Sequence, residues 1–154
     1  MRSRAAIGGH PLHPIFVTIP IGLWSFAPVC DLIYHAGWGD ASWKAAAFYG
    51  IGGGILGAVP AIATGLIDFS IVQGKTAQAV AKFHLILNAL VTVLFIASFG
   101  LRFEEFRTNF RLFPVFISLG GTVLLGLSGW LGGELVSRFG ISVRHDHQPL
   151  EIHE

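Results

Sequence analysis

Residues 9–34 read Gly9-His-Pro-Leu-His-Pro-Ile-Phe-Val-Thr-Ile-Pro-Ile-Gly-Leu-Trp-Ser-Phe-Ala-Pro-Val-Cys-Asp-Leu-Ile-Tyr34. From Pro14 onward the run carries no charge until Asp31, and about 20 such residues are what a helix needs to cross a bilayer. Two histidines, His10 and His13, stand at its door, each followed by a proline. Proline fixes its own φ, lacks an N–H and disfavours the α region for the residue before it. His13 therefore reads as the last extended residue and Pro14 as the first helical one. Imidazoles held on a stiff segment at a membrane boundary suit ligands or proton carriers, and equally suit the cap and anchor of a helix end.

Three further stretches pass the same test, about Trp43–Phe69, Phe83–Leu101 and Leu112–Val136. The loops between them are short, roughly 8 to 14 residues, so successive helices are expected to be antiparallel neighbours. The expected fold is all-α, an integral membrane antiparallel four-helix bundle over residues 1–136, followed by a polar tail over 137–154. Composition agrees: 53% of the 154 residues are hydrophobic and 12% are charged, against about 25% charged in soluble domains. A net charge of +1 offers no basic surface for nucleic acid. The lone Cys30 rules out an internal disulfide and a Cys-x-x-Cys-His haem attachment. Met1-Arg2-Ser3-Arg4 resembles a basic leader, but no small-residue cleavage site follows the first apolar run, which is read as retained.

Pro20 and Pro28 are expected to free backbone carbonyls that neighbouring helices must satisfy in lipid. Small residues recur four apart, Gly50 with Gly54, Gly53 with Gly57, Ala61 with Gly65, Ser118 with Thr122 and Gly126, and Gly129 with Gly133. Such rows allow close helix packing, and equally the approach of a flat cofactor or a second copy of the chain. Trp38, Trp43 and Trp130 suit an interfacial aromatic belt. Phe103, Phe106, Phe110 and Phe113, interleaved with Arg102, Arg107 and Arg111, suit a linker lying on lipid headgroups. Four spans put both termini on one side with the loop between the second and third helices. That side holds six of the ten Lys and Arg residues, so the positive-inside rule places both termini in the cytoplasm of a bacterial inner membrane.

Ionisable groups at membrane depth are costly and mark functional sites. Antiparallel threading brings to one face His10 and His13, Asp68, His84 with Asn88, and Glu134 with Arg138. His10, His13, Asp68, His84 and Glu134 form a candidate set for a transition metal ion of the zinc, iron or manganese type. His13 and His84 alone could be the axial ligands of haem b, with glycines making room for the ring. The same groups suit a proton or quinone site. The plain structural alternative is a polar ring in which Asp68 and Glu134 pair with Arg138, Lys75 or Lys82. At the opposite face Asp31, near His35 and Asp40, reads as a solvated helix end. His145, His147 and His153 read as part of a solvated tail. No nucleophile–base pair or phosphate loop points to an enzyme.

The run Gly132-Gly-Glu-Leu-Val-Ser-Arg-Phe-Gly-Ile-Ser-Val143 completes a set of motifs. Together with His10-Pro-Leu-His-Pro14, Ile19-Pro-Ile-Gly22, Gly65-Leu-Ile-Asp68 and the pair His84 and Asn88, it resembles a widespread bacterial family of four-helix membrane proteins of unknown function. The likeness covers about residues 8 to 143. Thr18 stands where that family often has histidine, and Ser137 where it often has tyrosine. If position 18 supplies a ligand in relatives, the resemblance implies one ligand fewer here. Some members look joined to iron-sulfur or cytochrome c domains, which implies a redox role and a redox partner in the membrane. The sequence thus points to a lipid-embedded electron-transfer subunit binding haem b or a metal ion, with a non-catalytic assembly subunit as the alternative.

Overall fold

A computed structural model describes residues 3–105 and 112–143. Gly8 and Gly9 both take positive φ, 58° and 83°, as a two-residue hairpin turn requires. Across it, strands β1 (Ala6–Ile7) and β2 (His10–Pro11) pair antiparallel, Ile7 opposite His10. Pro11 then caps helix α1 (Leu12–Phe16). His13 and Pro14 are therefore both helical, contrary to the expectation that Pro14 opens the helix. The first four N–H groups of any helix lack an intrahelical partner, so a proline costs no bond anywhere in that turn.

Val17 stays right-handed (φ −65°, ψ −19°) and leads into α2 (Thr18–His35). Helices α3 (Ala41–Phe69), α4 (Lys75–Glu105) and α5 (Leu112–Ser137) follow. The runs Leu12–His35, Ala41–Phe69, Lys75–Phe103 and Leu112–Ser137 are each long and apolar enough to span a membrane. The four-helix membrane bundle read from the sequence is the observed architecture. Helix α4 begins well before Phe83. Gly74, at φ 88°, ends the preceding loop, and the polar residues Lys75 to Lys82 are sound helix formers without Gly or Pro. Their apolar members Ala77 and Ala81 pack with Val72, Leu135 and Ile141.

Helix α2 packs chiefly on α3, and α4 on α5, with looser seams between α3 and α4 and between α2 and α5. The bundle is thus two hairpins, and the second repeats the first. Pro20, Trp24, Ala27 and Asp31 of α2 are buried, and so are Val91, Phe95, Ser98 and Arg102 of α4, each 71 positions later. Trp24 sits where a Cβ on Gly54 would clash with it, and Phe95 where a Cβ on Gly121, 67 positions after Gly54, would lie 2.9 Å away. The second hairpin thus repeats the placement of the first, as parallel internal repeats do.

Equivalent residues meet between the two hairpins. The rings of Trp24 and Phe95 stack with centroids 4.5 Å apart and planes within 6°. Two turns further along, Arg102 grips Asp31 through two hydrogen bonds of 2.7 and 2.6 Å, with both side chains buried. Ser98 and Ser118 accept two more of the guanidinium protons, and each passes its own proton to a carbonyl of α5. Asp31 is therefore not a solvated terminus, nor is Arg102 part of a headgroup linker. Arg107, Phe106, Phe110 and Arg111 of that linker, and His145, His147 and His153 of the tail, lie outside the described residues.

Candidate functional site

Eleven residues before Trp24 and Phe95 stand His13 and His84, about 16 Å nearer the other membrane face at 1.5 Å per residue. Between them the two hairpins enclose a cavity of about 520 Å³ with mainly apolar walls. Trp24 closes its inner end, and Asn88, Thr92 and Ser128 are its polar residues on the second hairpin.

The two imidazoles are held alike. Nδ1 of His13 lies 2.8 Å from the Ala61 carbonyl oxygen, and Nδ1 of His84 lies 2.9 Å from that of Ser128, 67 positions after Ala61. A carbonyl only accepts, so each Nδ1 carries a proton, and in the neutral imidazole Nε2 then has the lone pair. Each ring also stands over a glycine one turn further along. A Cβ on Gly65 would lie 2.8 Å from Cε1 of His13, and one on Gly132 would lie 3.1 Å from Cε1 of His84. On the second hairpin Asn88 adds a contact, its amide nitrogen 3.1 Å from Nε2 of His84.

Of the other residues of the expected metal set, His10 and Glu134 are not gathered here. His10 is exposed on β2. Glu134 pairs with Arg138 one turn on, at 2.9 Å, outside the cavity wall. Asp68 does line the cavity, but its carboxylate is already engaged. Oδ1 accepts from the Ser3 hydroxyl at 2.7 Å and from the amides of Arg4 and Ala5, and Oδ2 accepts from the Ser142 hydroxyl at 3.3 Å. Asp68 thus ties both ends of the described chain beside the cavity. Among the described residues no three His, Cys, Asp or Glu side chains converge as metal ligands do. Depth along a helix is legible in sequence, whereas the direction a side chain faces depends on packing, and this separates Glu134 from His84. Thr18 is exposed, with its hydroxyl on the Ile15 carbonyl, and is not a cavity residue.

A family model described as predicted membrane protein (DUF2231) matches residues 9–145. The chain belongs to the DUF2231 family. The match opens at Gly9, beside His10 and His13, and runs past Gly132 and Arg138, so every wall of the cavity falls inside the DUF2231 region. No curated protein and no solved structure matches the chain.

Proposed function

We propose that this DUF2231 protein is a membrane-embedded electron-transfer protein holding haem b between its two hairpins, with His13 and His84 as axial ligands. The observation that supports this is the paired imidazole geometry. Each ring is anchored through Nδ1 to a carbonyl of the neighbouring helix, seated over a glycine, and set on the wall of one shared cavity. An anchored Nδ1–H fixes ring orientation and raises the basicity of Nε2, which is how ligating histidines are held. The cavity volume falls within the range of about 300–1,000 Å³ usual for small-molecule sites. A haem bound there supplies a one-electron couple whose potential depends on ligands and burial. The chain contributes the ligand pair, mainly apolar walls and the Trp24 ring, backed by Phe95. A non-haem metal ion has less support, because Asp68 is engaged and His10 and Glu134 face elsewhere. We place the protein in the bacterial inner membrane, both termini cytoplasmic, beside a redox partner or a second copy.

Absorbance of detergent-purified protein, oxidised and then dithionite-reduced, with elemental analysis of the same sample, tests this. The expected result is a Soret band with reduced α and β bands, lost in the double variant His13→Ala/His84→Ala. A colourless protein with stoichiometric zinc, iron or manganese would replace haem by a non-haem site. A colourless, metal-free protein would leave an assembly role.

A further inference from the structure

We propose that Asn88 makes the two imidazoles unequal: His13 is the fixed ligand, His84 is the exchangeable one, and a small neutral molecule enters the site on the His84 side. This rests on the haem reading above. The hairpins repeat one another closely enough that their differences are informative. Asn88 stands 71 positions after Val17, and Ser128 stands 67 after Ala61, so the second hairpin has polar side chains where the first has apolar ones.

The amide nitrogen of Asn88 lies 2.9 Å from the His84 carbonyl oxygen, 2.8 Å from the Ser128 hydroxyl and 3.1 Å from Nε2 of His84. The carbonyl only accepts, which identifies this atom as the nitrogen and not the oxygen. Its two protons therefore face three acceptors. When Nε2 binds a metal, the amide keeps Ser128 and the carbonyl. When Nε2 is released, a donor stands ready for it. His84 is satisfied in both states, so leaving the metal strands no lone pair in an apolar cavity. His13 has no such reserve. Among the described residues its one side-chain hydrogen bond is through Nδ1, and the place of Asn88 is taken by Val17.

Space differs in the same sense. Gly129 and Gly133 on the cavity wall beside Gly132 are exposed, and a Cβ at either would meet nothing within 4 Å. Their equivalents in the first hairpin, 67 positions earlier, are Ile62 and Leu66. Gly129 and Gly133 thus leave the cavity wall on the His84 side without the side chains that Ile62 and Leu66 supply on the His13 side.

Carbon monoxide added to the dithionite-reduced, detergent-purified protein is the probe. The wild type is expected to bind it. His84→Ala keeps its haem, five-coordinate and high-spin, whereas His13→Ala loses it. Asn88→Leu removes the donor that receives the released ring and weakens carbon monoxide binding about tenfold, the worth of one hydrogen bond. Asn88→Asp, equal in shape, replaces the donor by an acceptor, so the released Nε2 again finds no proton there and carbon monoxide binding weakens as in Asn88→Leu. Absence of a Soret band from the wild type would overturn the haem reading and this inference together. A Soret band with no carbon monoxide binding, with equal binding in wild type and Asn88→Leu, or with haem retained in His13→Ala and lost in His84→Ala, would overturn this inference alone.

Discussion

Asp31 and Arg102, 71 residues apart in sequence, form a two-pronged ion pair with almost no exposure to solvent. Removing one partner leaves the other charge buried without compensation, a loss of about 3–5 kcal/mol. Asp31→Ala and Arg102→Ala should therefore each lower the thermal unfolding midpoint sharply in detergent. Replacing both by apolar residues of similar volume should recover most of the loss, since an ion pair offers little over good packing. Equal damage from the double replacement and either single one would argue against this account.

Gly65 and Gly132 set the seats of the two imidazoles, and their clearances differ. A methyl at Gly65 meets the His13 ring at 2.8 Å, closer than any relaxed carbon contact, whereas at Gly132 it meets the His84 ring at 3.1 Å beside open space. Gly65→Ala should cost about 1–3 kcal/mol of stability and, on the proposed haem reading, lower any Soret absorbance of the purified protein. Gly132→Ala should be milder in both respects. The comparison is read from unfolding midpoints and the ratio of Soret to protein absorbance.

How far the sequence carries follows from these same residues. Four apolar runs determine four membrane helices because a bilayer imposes length and hydropathy directly. His13, His84, Asn88 and the glycine rows stood out for the same reason, as polar or small residues in a lipid setting. The repeat did not stand out, because its equivalent residues share position and not chemistry: Trp24 with Phe95, Asp31 with Arg102, Val17 with Asn88. The offset of 71 that joins Pro20, Trp24, Ala27 and Asp31 to Val91, Phe95, Ser98 and Arg102 emerges only once burial is known. Without it, a carboxylate near a helix end reads as solvated, although its partner lies in another helix.

Asp40 caps α3, accepting from the amide of Ser42 at 2.8 Å and from its hydroxyl. These bonds favour the ionised form and hold the Asp40 carboxyl below its ordinary value, the Ser42 hydroxyl contributing most. Because the folded value is depressed, the stabilisation is full above the unfolded pKa of about 3.9 and is lost as pH falls through the folded value. Asp40→Asn keeps a competent cap but cannot titrate. The difference in unfolding midpoint between wild type and this variant should therefore be constant near neutrality and shrink in wild type's disfavour below about pH 4. A difference independent of pH down to about pH 3 would exclude a role for this carboxylate.

Pro28 has no N–H to donate to the carbonyl of Trp24, one turn back. The Thr122 hydroxyl of α5 lies 3.1 Å from that oxygen, across the looser seam between the hairpins, and 2.9 Å from its own helix's Ser118 carbonyl. In lipid an unsatisfied carbonyl has no water to turn to, so Thr122 and Pro28 are coupled. Thr122→Val should cost about 0.5–1.5 kcal/mol, the net worth of one hydrogen bond. Made in a Pro28→Ala background, the same change should cost less, because the restored N–H at position 28 takes the Trp24 carbonyl. A double-mutant cycle on unfolding midpoints reads the coupling directly. Equal costs in both backgrounds would mean that Thr122 serves only its own helix, and that the seam between α2 and α5 is held by packing around Trp24 instead.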